Sequence, residues 1–473
     1  MQNNKIKESV IKLITANLFP ILFSLLFVCL LLPFLNVIPH RDGNIVFVQT
    51  NDYLRGGLQM YLNNWAVHPP LKIIISAMLI KIIPLLPFSY NILGIMFGIA
   101  GIFGIYYLSL NIFTKKEAII SASLLAISPL FIANSIFGSL DYILTVLIII
   151  ALLFYIKKRF IIYAFFASLC ILTKETGLIF ILTVLSIEII FQIKNILSKN
   201  YKSLINIIYC LIPLIPWYIW TIYLNVNHKS IWDDYVFSNT KGGPFYVVIH
   251  NLLFLNIFTQ YTKEHWSQLF ILNFNWILWL FITFSLLIYL LKKIFGKALL
   301  NEIKKNKIKT KALIVIVTFF FLYLLTVLTF PTYTIPRYAL PLIPCFIIFI
   351  TLSITAIKNN HIKLLVLIVV YSIFLISLFS SDDPVSRVMW DTRIMNNQNL
   401  YLLDQTVARN DGITYNYQYL LLIKDRTELI RKIENDKMSL NKNSCDFIFP
   451  DPNNDLKTFK ILKINLNKFS ICL

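Results

Sequence analysis

The sequence is short of charge. Only 14% of its 473 residues are Asp, Glu, Lys or Arg, against roughly 25% in an ordinary soluble protein. Acids are scarcer than bases, at 23 against 43 Lys and Arg, and the chain holds 13 Gly and 6 His. So little charge beside so much apolar material excludes a disordered chain. The 6 Cys show no zinc-type spacing with His, which excludes a zinc-ribbon or finger module. What is abundant is hydrophobic: 58% apolar, 15% aromatic, mean hydropathy +0.71. An ordinary globular enzyme is therefore excluded too. The net charge of +20, taken alone, suggests nucleic acid, but the positions of the charges decide otherwise.

Apolar runs of about 17–25 residues cross the hydrocarbon core as helices. Eleven spans are expected, at 13–35, 88–113, 117–138, 142–156, 160–173, 177–193, 204–224, 269–291, 312–330, 338–357 and 362–380. Residues 71–87 hold Lys72, Lys81, Pro84 and Pro87 and read as an interfacial helix, with a twelfth span as the rival. With the N-terminus inside, every inner loop carries at least two cations, among them Lys115–Lys116, Lys157–Lys158–Arg159 and the lysines of 301–311. This is the positive-inside pattern. Nearly all of the surplus charge thus faces anionic inner lipids, and nucleic acid drops out as a partner. The first span is too long for a signal-peptide core and reads as an uncleaved anchor.

The architecture expected is an all-α multi-pass membrane bundle over 1–380, with outer loops 36–87 and 225–268. The polar tail, 381–473, falls outside and reads as a small α/β extracytoplasmic domain. Cys445 and Cys472 lie in that tail, where an oxidising compartment permits a disulfide but spacing alone does not fix one. Inside the spans Glu188 is the exceptional ionisable residue. A proton- or ion-coupled transporter places charged groups near the bilayer midplane, so transport ranks low.

The outer face differs. Its short turns hold Asp141, the pair Lys174–Glu175 and Arg337, and its first long loop holds Asp42, Asp52, Arg55 and His68. Cations beside carboxylates and a histidine suit a phosphate-bearing lipid headgroup meeting a hydroxyl acceptor. Each residue also has a plain structural reading. Asp52 is placed to N-cap a helix over 53–64 with Arg55 as its local partner, and Asp141 to cap the fourth span. Lys174–Glu175 reads equally as a surface pair, Arg337 as an interfacial anchor, and His68 as the turn before Pro69-Pro70.

These residues carry a resemblance. Asp52-Tyr53-Leu54-Arg55 and then His68-Pro69-Pro70-Leu71 resemble the first outer loop of GT-C glycosyltransferases, in the branch of protein O-mannosyltransferases and the lipid A aminoarabinose transferase. Ser128-Pro129 followed by Asp141, the Leu172-Thr173-Lys174 turn, and Arg337-Tyr338-Ala339-Leu340-Pro341 are similar to the same branch. The resemblance extends over roughly 36–380. It implies a GT-C bundle that inverts the anomeric centre while moving a sugar from a polyprenyl-phosphate carrier to an acceptor outside the cytoplasm. The Lys/Ile/Asn-rich composition suggests an AT-rich bacterial genome, and with it a bacterial cytoplasmic membrane. By position the resemblance makes Asp52 the catalytic carboxylate, with Asp141 ordering the acceptor or the base. It gives the carrier phosphate to Arg55, Lys174 and Arg337, with His68, Glu175 and Tyr338 as further substrate contacts.

The chain departs from the family in two places. Tyr53 stands where an acidic pair is common, so Asp42 is an alternative counterpart of the first-loop carboxylate. His68 stands where the aminoarabinose transferase has a lysine. Lone carboxylates make a poor cage for a divalent metal, so no cofactor is expected. The acceptor is left open between lipid, glycan and protein. Two rivals stand: a glycan polymerase with a diphosphate-linked donor, and a lipid-linked glycan flippase or transporter.

Overall fold

The computed structural model describes residues 15, 17–32, 35, 42–65, 68–83, 88–137, 139–197, 201–227, 307–328 and 336–379, with strand segments at 446–450, 456–460, 464–465 and 470–471. The chain runs through α1 (Leu18–Leu31), α2 (Asp42–Trp65), α3 (Leu71–Ile82), α4 (Phe88–Ile112), α5 (Lys115–Ala126), α6 (Pro129–Phe137) and α7 (Leu140–Ile156). It continues through α8 (Phe160–Thr173), α9 (Gly177–Leu197), α10 (Tyr201–Leu211), α11 (Leu214–Asn227), α12 (Lys307–Leu328), a 3-10 segment Pro336–Leu342, α13 (Ile343–Ala356) and α14 (Asn360–Phe379).

Among the described residues, four helical stretches are long and apolar enough to cross a membrane: Phe88–Leu110, Leu204–Tyr223, Ile308–Leu328 and Arg337–Ala356. A fifth forms if α5 and α6, bent by 51° at their break, count together. Pro129 opens α6 at that bend, where its missing N–H costs nothing. Five further apolar helices, α1, α7, α8, α9 and α14, are shorter. Every expected span except 269–291 falls on one of these helices; that one, the loop beyond 227, Cys445 and Cys472 lie outside the described residues. In the tail the described residues pair as two antiparallel hairpins, β1 (Asp446–Pro450) with β2 (Leu456–Lys460) and β3 (Ile464–Asn465) with β4 (Ser470–Ile471).

Local sequence explains the joints that matter to function. Thr114-Lys115-Lys116-Glu117 is a capping box: Thr114 N donates to Glu117 Oε2 at 3.1 Å and opens α5. In α2 the regular helix breaks at Gly56–Gly57, where Gly57 takes φ 65°, a value open to glycine at no steric cost. Asp52 therefore lies inside a longer helix rather than at the N-cap of one beginning at 53, and it is buried.

Helix α4 carries Gly94, Gly98, Gly101 and Gly104, and these set how closely its neighbours approach. A Cβ on Gly94 would stand 1.6 Å from the Ser135 carbonyl oxygen of α6, and one on Gly98 2.2 Å from the Phe27 ring of α1 and 2.6 Å from Tyr142 Oη of α7. Small residues at such contacts let helices pack where no hydrophobic force drives them together. Tyr142 Oη also donates to the Gly94 carbonyl at 2.9 Å. Because α7 begins at Leu140, this contact fixes the position of Asp141.

At the other end of the helices, Glu188 of α9 is fully buried and fully answered. It accepts from Tyr155 Oη of α7 at 2.7 Å and from Gln192 at 2.9 Å, and it pairs with Lys311 of α12. Lys363 of α14 stands 3.7 Å from Glu117 of α5. Gly94→Ala should lower stability by about 1–3 kcal/mol, seen as a fall in unfolding temperature in detergent. The control Met96→Ala, at a side chain 54% exposed, should shift it little.

Candidate functional site

The site begins with Asp141 in the first turn of α7. Ser139 holds the cap position, its Oγ accepting from Tyr142 N at 3.2 Å, so Asp141 is not spent as a cap. Its side chain is 1% exposed. A carboxylate so buried needs a partner, and the turn after α8 supplies one. Helix α8 ends at Thr173, Lys174 is extended, and a turn closed by Gly177 N to Lys174 O at 3.0 Å starts α9. That turn sends Lys174 Nζ to Asp141 Oδ1 at 2.7 Å.

Arg337, from the 3-10 segment before α13, brings Nε to 3.4 Å from Asp141 Oδ2. Tyr338 lies beneath both cations, its ring centroid 4.8 Å from Lys174 Nζ and 5.5 Å from Arg337 Cζ. Burial alone would push the Lys174 ammonium down. Asp141, with Tyr338, Tyr323 and Glu175, outweighs burial and lifts it above the ordinary lysine value.

A second arm joins at Glu175. Its Oε2 lies 3.0 Å from His68 Nδ1, tying the segment between α2 and α3 to the α8–α9 turn. Tyr61 Oη of α2 donates to the His68 carbonyl at 2.5 Å. Burial, helped by Glu175, raises the Tyr61 phenol well above its usual range, so it stays a donor. The structure thus brings His68, Asp141, Lys174, Glu175, Arg337 and Tyr338 into one connected network. Lys174 and Glu175 are not a surface pair, since each has a separate partner, and Arg337 is more than an interfacial anchor. Asp52 and Arg55 lie on α2 upstream of its break, the first buried and the second exposed. Asp42 opens the same helix.

Sequence reasoning missed Lys72. It sits in the first turn of α3, 1% exposed, with Nζ donating to Tyr90 Oη at 2.9 Å. Burial pulls its ammonium down to about 7, and Asp141 partly offsets the fall. The signal was available: a lysine directly after His-Pro-Pro-Leu, on an otherwise apolar helix. Among the described residues no three His, Cys, Asp or Glu side chains converge as a metal cage.

The network lies at one end of the bundle and the Glu188–Lys311 pair at the other. Asp141 begins α7, which ends in the Lys157–Lys158–Arg159 turn, and Lys174–Glu175 precede α9, which carries Glu188 further along. Removing one partner of a buried ion pair leaves the other charge stranded. Asp141→Ala should therefore cost about 3–5 kcal/mol. The double change Asp141→Leu with Lys174→Met should recover most of the loss, as read by unfolding temperature in detergent.

Comparison with known proteins bears on this same region. Residues 67–220 match the family described as dolichyl-phosphate-mannose-protein mannosyltransferase. No curated protein sequence matches the chain. Among solved structures, the oligosaccharyltransferase of Archaeoglobus fulgidus is 14% identical, with 85% of this chain covered and a TM-score of 0.46; the chain spans 59% of its length. ArnT from Cupriavidus metallidurans, bound to undecaprenyl phosphate, is 13% identical over 86% of this chain and 76% of its own, with a TM-score of 0.49. The family match covers 67–220, the segment that contributes His68, Asp141, Lys174 and Glu175 to the network.

Proposed function

We propose that the chain is an integral-membrane glycosyltransferase that moves a sugar from a polyprenyl-phosphate carrier to a hydroxyl acceptor, inverting the anomeric centre. The observation that carries this reading is the charge balance at Asp141. Two cations, Lys174 and Arg337, share one buried carboxylate, which leaves a positive excess where water is sparse and Coulomb forces are strong. Arg and Lys are the usual holders of phosphate. The family matched over 67–220 is described by a lipid-phosphate-sugar donor, which supports the same ligand.

The placement follows the charges. With the lysine-rich turns inside, the site opens on the outer face of a bacterial cytoplasmic membrane, and the tail lies on that same side. The acceptor is a lipid, glycan or protein presented there.

In the proposed reaction the acceptor oxygen attacks the anomeric carbon and gives its proton to a carboxylate. The bond from that carbon to the phosphate oxygen breaks, and its electron pair stays on the phosphate. Lys174 and Arg337 hold the departing group, the largest electrostatic task in the transfer. Asp52 is proposed as the base and Arg55 as a further phosphate contact. Asp141, with both oxygens engaged by cations, is poorly placed to take a proton and instead orders the cations. The same engagement leaves it little capacity for a divalent metal, so transfer should survive EDTA.

Lys174→Ala and Arg337→Ala should raise the donor KM at least tenfold, whereas Asp52→Asn should lower kcat by about 10²–10⁴ with KM little changed. The measurement is transfer from a purified lipid-monophosphate sugar by protein reconstituted in liposomes. Undiminished transfer by Asp52→Asn would remove Asp52 as the base, and use of only a diphosphate-linked donor would overturn the donor class.

A further inference from the structure

Lys72 is a buried cation that the reaction as written does not use. It is 1% exposed, and a buried ammonium needs either a counter-charge or a full set of acceptors. It has neither. Its polar partner is Tyr90 Oη at 2.9 Å, with the Tyr90 ring centroid 5.0 Å away. Among the described residues no carboxylate lies within ion-pairing distance of Nζ. Tyr90 accepts one N–H of the three an ammonium carries. A Met or Leu would fill the same space without that cost, so the lysine calls for an anion.

The charge count at the site says which anion. The donor is a phosphodiester with one negative charge. Lys174 and Arg337, less Asp141, already present one net positive charge. Transfer turns the diester into a monoester, and a second negative charge develops on the phosphate as the sugar leaves. The nearby His68–Glu175 pair offers no surplus charge to meet it. Lys72 is coupled electrostatically to Asp141 and follows directly on the His68-Pro69-Pro70 turn.

We propose that Lys72 is a ligand of the carrier phosphate whose ammonium answers the charge that appears when the sugar departs. This rests on the lipid-phosphate reading above. The step balances without another reactant: the acceptor's proton goes to the base, the breaking bond leaves its electrons on the phosphate oxygen, and Lys72 meets that oxygen already protonated. Because the interaction strengthens along the reaction, it acts on kcat more than on donor affinity.

The surroundings of Lys72 make its protonation part of the proposal. Tyr90 on α4 touches it, α2, which packs on α3, carries Asp52, Arg55 and Tyr61, and Asp141 on α7 is the carboxylate it feels. Helix α8 brings no charged side chain. Burial pulls the Lys72 ammonium down to about 7, so in the free enzyme it is charged below that pH and loses its charge above it. A phosphodiester does not titrate in that range. Hence kcat/KM, which reports the free enzyme, should fall roughly tenfold between pH 6 and pH 8.

The test uses the full-length protein in liposomes with a lipid-monophosphate sugar donor and free polyprenyl phosphate as inhibitor. Lys72→Met should lower kcat roughly tenfold and raise the inhibition constant of the free phosphate by a similar factor, with donor KM changed by no more than about threefold. Lys72→Arg should keep most of the activity and lose the fall above pH 7. Unfolding temperature guards against misfolding, since Lys72→Met should match or exceed the parent. If Lys72→Met is folded with kcat, inhibition constant and pH profile unchanged, while Lys174→Ala and Arg337→Ala still lose donor use, the role of Lys72 is wrong and the donor reading stands. If all three variants transfer normally, the donor reading falls with it.

Discussion

Everything at one end of this bundle is organised by one carboxylate. Asp141 is nearly inaccessible, and burying a carboxylate is costly unless it is paired. It draws Lys174 from the α8–α9 turn and Arg337 from the segment before α13, so three regions far apart in sequence meet at one side chain. The turn that delivers Lys174 also places Glu175 against His68. The segment between α2 and α3 is thereby attached to the same point. The position of Asp141 is set in turn by Tyr142, the next residue, which donates to Gly94 across a helix contact only a glycine allows.

The opposite end is built differently. Glu188 is as buried as Asp141, yet it receives Tyr155, Gln192 and Lys311 together. Its acceptors are filled and one cation balances one acid, so the cluster is closed. At Asp141 two cations share one acid. The first arrangement ties α7, α9 and α12 together. The second sets two cations against one acid, the imbalance on which the proposed phosphate site rests.

The helices were legible because a span needs only length and apolarity, and those survive in any window of the sequence. The site was legible in its members but not in its connections. Asp141, Lys174 and Arg337 drew notice as ionisable residues in turns too short to leave the membrane surface. Spacing could not say that Ser139 takes the cap, which frees Asp141 for Lys174. Nor could it say that Lys174 and Glu175, adjacent in the chain, face different partners. Lys72 was passed over for a related reason. A lysine near a helix end ordinarily snorkels to the interface, and the packing of α3 against α2, α4 and α8 closes it in.

Lys174 and Lys72 make the governing contrast. Both are buried lysines at one site, and burial acts on both in the same direction. A carboxylate at 2.7 Å carries Lys174 upward, whereas a phenol at 2.9 Å leaves Lys72 near neutrality. A cation held by its own counter-charge is fixed before the ligand arrives, which suits recognition of a phosphate that is charged throughout. A cation without one is costly while the site is empty, and that cost is relieved most when the anion carries the most charge. In the proposed transfer, a site that binds a diester and releases a monoester gains from having one of each. The acid at its centre is what allows the two lysines to differ.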